Sequence, residues 1–238
     1  MGGDHGPHVL LSAAEKSLKQ LPKLHLTICG HLSEYAHFKN GLDAKTLSRV
    51  DFVDCDEVVT MSDKPTTALR KKKQSSMRKV IDLVQSGDAQ ACVSSGNTGA
   101  LMAMAFYVLK TLPGISRPAL ISWLPKGQGK KVLLLDLGAS VNCDAEGLFQ
   151  YAVMGSVLAE QCSHIHSPKV ALLNVGEEDI KGNTLVKHAD QLLRDCPSVN
   201  YIGYVEGDQI FSGDADVVVT DGFTGNIALK TAEGVAQL

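Results

Sequence analysis

The sequence predicts an α/β protein with a mostly parallel sheet. Two patterns carry that expectation. Aliphatic runs such as "KVLLLDLG", "KVALLNVG" and "ADVVVTDG" are nearly unbroken, as strands are when helices cover both faces of a parallel sheet. Each run leads through a short polar loop into a helical segment of about ten or more residues, the alternation of βαβ units.

In chain order, "LHLTIC" at 24–29 and residues 50–53 read as short strands. One long helix is expected from Thr66 to Val84. Pro65 and Thr66 suit its first turn, and Met77, Val80, Ile81 and Val84 recur at helical spacing. Four strand–loop–helix units follow. "ACVSS" passes through "GNTG" into "ALMAMAFYVLK", and "KVLLLDLG" through "ASVNCD" into "AEGLFQYAVMGSVLAE". "KVALLNVG" passes through "EEDIKGN" into a helix ending near Arg194, and "ADVVVTDG" through "FTGN" into "IALKTAEGVAQL". All four loops then lie beyond the carboxyl ends of strands, where open α/β sheets bind ligands. The opening "MGGDHGP" starts at once in loop residues, and the last segment stops on a helical pattern without a Gly or Pro stop signal. The expectation is one domain over 1–238, a fragment or a reading frame short at both ends.

Bulk properties narrow the function classes. The chain is 44% hydrophobic and 21% charged, with a net charge of −3, which implies no general affinity for nucleic acid. Six cysteines occur without a C-x-x-C pair or a secretory leader, and read as reduced thiols of a cytoplasmic protein. No apolar run approaches the roughly 20 residues that span a bilayer, which leaves peripheral membrane contact open.

Two loops resemble each other: "SSGNTGALM" at 94–102 and "TDGFTGNIALK" at 220–230. Neither is a Walker A loop or a G-x-G-x-x-G fingerprint. Both place Gly, Thr and Asn where a helix begins, and there the backbone N–H groups lack intrahelical partners and the helix dipole is positive. Ser95, Gly96, Asn97, Thr98 and Gly99 in one loop, and Asp221, Gly222, Thr224, Gly225 and Asn226 in the other, are therefore candidates for holding a phosphate or a developing oxyanion. The competing reading is that these residues only cap helices and turn the chain, and for a single loop it is the commoner outcome. Two such loops at one edge, joined by charged ones, favour a site. Lys181 in "VGEEDIKGN" offers a cation, while Asp4, Asp136 and Asn142 either touch ligand or brace their loops. No His or further acid stands at ligand spacing around them, so no metal site is expected.

Other candidates are weaker. Cys143 as an acyl-carrying nucleophile needs an activating base or a lowered pKa, and neither is visible. His164 and His166 fall in a helix-to-strand connection and read as surface. "RKKKQSSMRK", with Arg70, Lys71, Lys72, Lys73 and Arg78, is either a solvated helix face or a dock for an acidic partner.

Taken together, "MGGDHGP", "DEVVTMSDKPTTALRKKKQSSM", "CVSSGNTGALMA", "LLLDLGASVNCD", "LLNVGEEDIKGN", "VNYIGYVEGD" and "DGFTGNIALKTAEG" closely resemble the bacterial phosphate acyltransferases of phospholipid synthesis. The resemblance spans the chain. It implies a three-layer α/β/α fold shared with phosphotransacetylases and with isocitrate and isopropylmalate dehydrogenases, and usually a homodimer. It implies reversible transfer of a long-chain acyl group from acyl carrier protein to inorganic phosphate, with no cofactor. The acyl phosphate then feeds a membrane glycerol-3-phosphate acyltransferase, and the enzyme visits the membrane peripherally from the cytoplasm. The family's catalytic lysine and asparagine match Lys181 and Asn226. Against the family pattern, the first strand and a C-terminal part are missing. Two alternatives stay open: a phosphotransacetylase-like enzyme using acyl-coenzyme A, and a non-catalytic acyl-phosphate-binding partner of membrane acyltransferases.

Overall fold

The computed structural model describes residues 2–140 and 142–237, apart from the side chains of His37 and Gln128. The chain forms two compact units, one running to Lys110 and the other starting at Thr111.

The first unit contains helix α1 (Pro7–Gln20), strand β1 (Leu26–Gly30), helices α2 (Ala36–Asn40) and α3 (Ala44–Leu47), strand β2 (Val50–Asp54), and helices α4 (Pro65–Lys71), α5 (Ser76–Ser86) and α6 (Thr98–Leu109). β1 and β2 pair in parallel with Leu26 opposite Val50. Helix α1 was not among the expected elements; its Leu18 is buried, with Leu11 and Ala14 packed against the same core.

Two expectations fail here. The helix expected over 66–84 is broken at 72–75. Ser75 is the N-cap of α5, accepting from Arg78 N at 3.3 Å while its own hydroxyl donates to Lys72 O. Glu57 holds the break from outside, its carboxylate accepting from Gln74 N and its carbonyl from Ser76 N. The helical spacing that suggested one helix belongs to α5 alone. Residues 91–95 are not in a strand either: they pair with no other strand among the described residues, and Val93 is left 80% exposed. An aliphatic run becomes a strand only where a ladder partner is available.

The second unit holds the main sheet. It comprises β3 (Ile121–Lys126), β4 (Lys130–Leu135), α7 (Ala145–Ser163), β5 (Val170–Leu173), α8 (Thr184–Arg194), β6 (Tyr201–Val205), β7 (Val217–Val219) and α9 (Gly222–Ala236). The strand order is β3-β4-β7-β5-β6, with β3 antiparallel and the rest parallel. Alternate residues of the central strands feed two cores. Leu133, Leu135, Val170, Leu172, Val217 and Val219 pack with α7 and α8, while Val132, Leu134, Ala171 and Val218 face the opposite core with Leu229 of α9. Helices on both faces explain why these strands read as unbroken aliphatic runs. The two edge strands went unpredicted for local reasons. Pro125 interrupts β3, where an edge position tolerates it, and Gly203, at φ +97, interrupts β6.

Candidate active site

The sheet's carboxyl edge in the second unit is organised around Asp136, which is fully buried at the end of β4. Its Oδ1 accepts from the backbone N–H of Leu120 (2.9 Å), Gly138 (3.1 Å) and Ala139 (2.9 Å), and its Oδ2 from that of Ser140 (2.7 Å). All the described contacts of this carboxylate are structural: it shapes the 136–140 turn. That turn receives the start of α9. Gly222 N donates to Ser140 O at 3.1 Å, and a Cβ on Gly222 would lie 2.8 Å from the same carbonyl. A Cβ on Gly225 would collide with the Asp136 carbonyl oxygen. Both glycines are thus required for close backbone approach between two loops, a local reason independent of any ligand.

Asp221 caps α9. Its Oδ1 accepts from Phe223 N at 2.9 Å and Thr224 N at 3.0 Å, and its Oδ2 accepts the Thr224 hydroxyl at 2.7 Å. The first N–H groups of this helix therefore already have protein acceptors. Asn226 is different: its side chain is exposed, and its Oδ1 would lie 3.6 Å from a Cβ on Gly138. Glycine at 138, with φ +127, leaves the amide open on that side.

Lys181 stands in the loop between β5 and α8. Its backbone N–H closes a turn onto Glu178 O at 2.9 Å, and its side chain is exposed, with no ion-pair partner among the described residues. Gly182, at φ +86, follows it, and a Cβ there would strike the Asn174 side chain, whose Nδ2 donates to Gly176 O at 2.9 Å. Asn183 then caps α8 through Val186 N. The loop thus presents the Lys181 ammonium beside a helix N-terminus, in a stretch that also carries Glu177, Glu178 and Asp179. Asn174, Gly138 and Ser140 lie outside the residues expected from sequence. They act through backbone approach, and the only sequence signal was their position at strand ends ("LLNVG", "DLGAS").

The other similar loop belongs to the first unit. Asn97 is buried and spent on structure: it caps α6 through Ala100 N and its Nδ2 donates to the carbonyls of Thr60, Met61 and Asp63. Thr98 and Gly99, in contrast, are exposed, and their N–H groups have no acceptor among the described residues. Gly3 approaches this loop closely, because a Cβ on it would lie 2.9 Å from Ser95 O. Asp4, on the 3–6 turn, Ser95, and Asn142 in the second unit are exposed.

The basic segment divides by role. Arg70, Lys71 and Lys73 are exposed. Lys72 instead donates to Val58 O at 2.6 Å and Asp63 Oδ2 at 2.5 Å, and Arg78 pairs with Asp82 at 2.7 Å. The Lys72 hydrogen bond holds the Asp63 carboxyl below its ordinary pKa. Burial, reinforced by Asp144, pushes the Cys143 thiol up to about 11, so it is protonated near neutrality and lacks nucleophilic activation. His164 ends α7 in a left-handed cap and is exposed.

The mostly parallel sheet flanked by helices is a fold that this chain shares with solved phosphotransacylases. The chain superposes on a phosphotransacetylase from Streptococcus pyogenes with a TM-score of 0.66 and 20% identity, covering 95% of this chain and 78% of that one. A branched-chain phosphotransacylase from Enterococcus faecalis V583 gives 0.62 and 19% over 98% and 82%. Closer in sequence are the phosphate acyltransferases of Aeromonas salmonicida (strain A449) and Shewanella sp. (strain MR-4). Each is 56% identical over all of this chain, which spans 70% of their length. The model of a family described as fatty acid synthesis protein matches residues 1–238, and the chain belongs to that family.

Proposed function

We propose that this protein takes a long-chain acyl group from acyl carrier protein and passes it reversibly to inorganic phosphate. A phosphate oxygen bonds to the thioester carbonyl carbon and the C–S bond breaks. The electron pair leaves on sulfur, which takes up a proton as the free carrier thiol. Phosphate is itself the nucleophile, so no covalent enzyme intermediate is required, in keeping with the protonated state of Cys143. Catalysis then consists of holding the reactants together and stabilising charge on the carbonyl oxygen.

The observation that carries this reading is the unpaired ammonium of Lys181 at the carboxyl edge of the sheet that also carries the exposed Asn226 amide. We assign the oxyanion to these two groups. The Asp4, Ser95, Gly96, Asn97, Thr98 and Gly99 group and the Asp136, Asn142, Asp221, Gly222, Thr224 and Gly225 group are assigned to substrate contacts and their support, each on its own geometry. The open N–H groups of Thr98 and Gly99 favour direct phosphate contact, and the hydrogen bonds of Asp136 and Asn97 favour support. Arg70, Lys71 and Lys73 are assigned to the acidic carrier. Among the described residues no helix is long and apolar enough to cross a membrane. Peripheral association from the cytoplasm, a homodimer and a downstream glycerol-3-phosphate acyltransferase complete the proposal.

The test is thiol release from palmitoyl-acyl-carrier-protein with and without phosphate, trapping acyl phosphate with hydroxylamine. Phosphate-dependent release supports the reading, and phosphate-independent release identifies a thioesterase. Preference for acyl-coenzyme A selects the phosphotransacetylase-like alternative. Lys181→Ala and Asn226→Ala each lower turnover by ~100–1000-fold, the usual loss for one oxyanion donor. Retention of more than about a tenth of turnover overturns the assignment of these two groups.

A further inference from the structure

We propose that Asn174 is a positioning residue for Lys181, gripping the two glycines that bound the lysine's loop, an inference that rests on the oxyanion role given to Lys181 above. Asn174 follows the last residue of β5, and its backbone N–H donates to Val205 O at the end of β6 at 2.9 Å. β5 lies inside the sheet, between β7 and β6, so the residue stands on a rigid base. Its side chain reaches both ends of the 176–182 loop. At the near end Nδ2 donates to Gly176 O at 2.9 Å. At the far end the amide lies against Gly182, where a Cβ would overlap Oδ1 and stand 2.9 Å from Cγ. Gly182 also has φ +86, so both the space and the backbone there call for glycine.

Gly176 is the link to the lysine. It is buried, and the Lys181 stem runs over it: a Cβ on Gly176 would lie 3.0 Å from Lys181 Cγ and 3.4 Å from Lys181 Cβ. The bare glycine leaves a bed for the stem, and the Asn174 amide fixes the peptide that forms the bed. The loop's other side-chain ties are Lys187 Nζ to Ile180 O at 2.7 Å, Arg194 Nη2 to Asp179 Oδ1 at 3.2 Å and Gln209 Nε2 to Glu177 Oε1 at 2.5 Å, all of them exposed. Solvated contacts of this kind contribute little. The Asn174 bond is half-buried and starts from the sheet. A lysine ammonium on a flexible four-carbon stem samples a wide volume unless the base of the stem is held. A misplacement of about 1 Å at a reacting centre costs on the order of a hundredfold in rate, which is why a group that never touches substrate matters here.

Asn174→Val removes the donor and keeps a residue suited to a strand end. Asn174→Ala, without the branched side chain, is the second variant, used if the first does not fold. Either is expected to lower kcat for phosphate-dependent thiol release about tenfold, with the KM for phosphate within about twofold of the parent, the signature of an interaction that serves the transition state. The deciding comparison repeats the substitution in Lys181→Ala. There the further loss is expected to stay below about twofold, because nothing remains to be positioned. Equal losses in the two backgrounds show general support of the fold and overturn the proposal. Gly176→Ala, which fills the bed of the stem, is expected to lower turnover in the parent and to spare the Lys181→Ala background.

A second readout does not need turnover. The Lys181 amide, bonded to Glu178 O at 2.9 Å, is expected to exchange its hydrogen about tenfold faster in Asn174→Val, while the β5 amides from Val170 to Leu173 keep the parent's rates. Unchanged exchange at Lys181 overturns the proposal whatever the kinetics. Parent-like turnover of Lys181→Ala overturns the oxyanion reading itself, and exchange at Lys181 tells that failure apart from failure of the Asn174 grip.

Discussion

Replacing Asp136 by Asn is the sharpest test of how the carboxyl edge is built. The carboxylate is fully buried and accepts four backbone N–H groups, three on Oδ1 and one, from Ser140 at 2.7 Å, on Oδ2. An amide with its oxygen in the Oδ1 place keeps three of these bonds and sets its NH2 against the Ser140 N–H. One buried donor is then orphaned, at a cost of about 1–3 kcal/mol, and three hydrogen bonds fall from charge-assisted to neutral strength, a loss of up to about 1 kcal/mol each. Relief of the buried charge offsets part of this, leaving about 3 kcal/mol. For a chain of this size that is a fall of roughly 6–12 °C in melting temperature. Circular dichroism melts read the shift, and amide exchange at Gly138, Ala139 and Ser140 reads the loosened turn. A melting temperature within about 1 °C of the parent and unchanged exchange at those amides would refute the assignment of Asp136 as the brace of this turn.

Other expectations follow from contacts of the same kind. Gly225→Ala drives a methyl group into the Asp136 carbonyl and destabilises by about 1–3 kcal/mol in urea titrations, and a change below about 0.5 kcal/mol contradicts the close approach. Lys72→Met removes the hydrogen bond that holds the Asp63 carboxyl below its ordinary pKa. A depressed carboxyl stabilises the fold above its unfolded pKa of about 3.9 and loses that contribution as pH falls through the lower folded value. The variant is therefore expected to melt lower than the parent at neutral pH, with the gap narrowing below about pH 4 to what the lost Val58 carbonyl bond contributes, and a pH-independent gap counts against the pair. Reversing Lys71 and Lys73 to Glu instead weakens the apparent affinity for carrier protein at an unchanged melting temperature. Alkylation of Cys143 by iodoacetamide, followed by peptide mass spectrometry, is expected to rise about tenfold per pH unit from 7 to 9.5 without levelling off, because its pKa stands at about 11. A plateau near pH 8.5 contradicts the buried thiol.

The alternation of strands and helices was legible because it is written in local periodicity. An aliphatic run followed by a Gly-bearing loop and a helical stripe needs no distant partner to be recognised, and β4, β5 and β7 with their helices lie where that pattern put them. The carboxyl-edge position of Lys181 and Asn226 followed from the same order of elements. What the sequence did not carry was any property that depends on a partner far along the chain. Two loops with nearly the same letters differ in the structure: the α9 loop spends its first N–H groups on Asp221 and Ser140, while those of Thr98 and Gly99 on α6 have no acceptor among the described residues. The break at 72–75 is held by Glu57, and residues 91–95 pair with no strand among the described residues. Hydrogen-bond donors and strand edges are satisfied by whichever groups the packed chain brings alongside, so their fate was decided only in three dimensions.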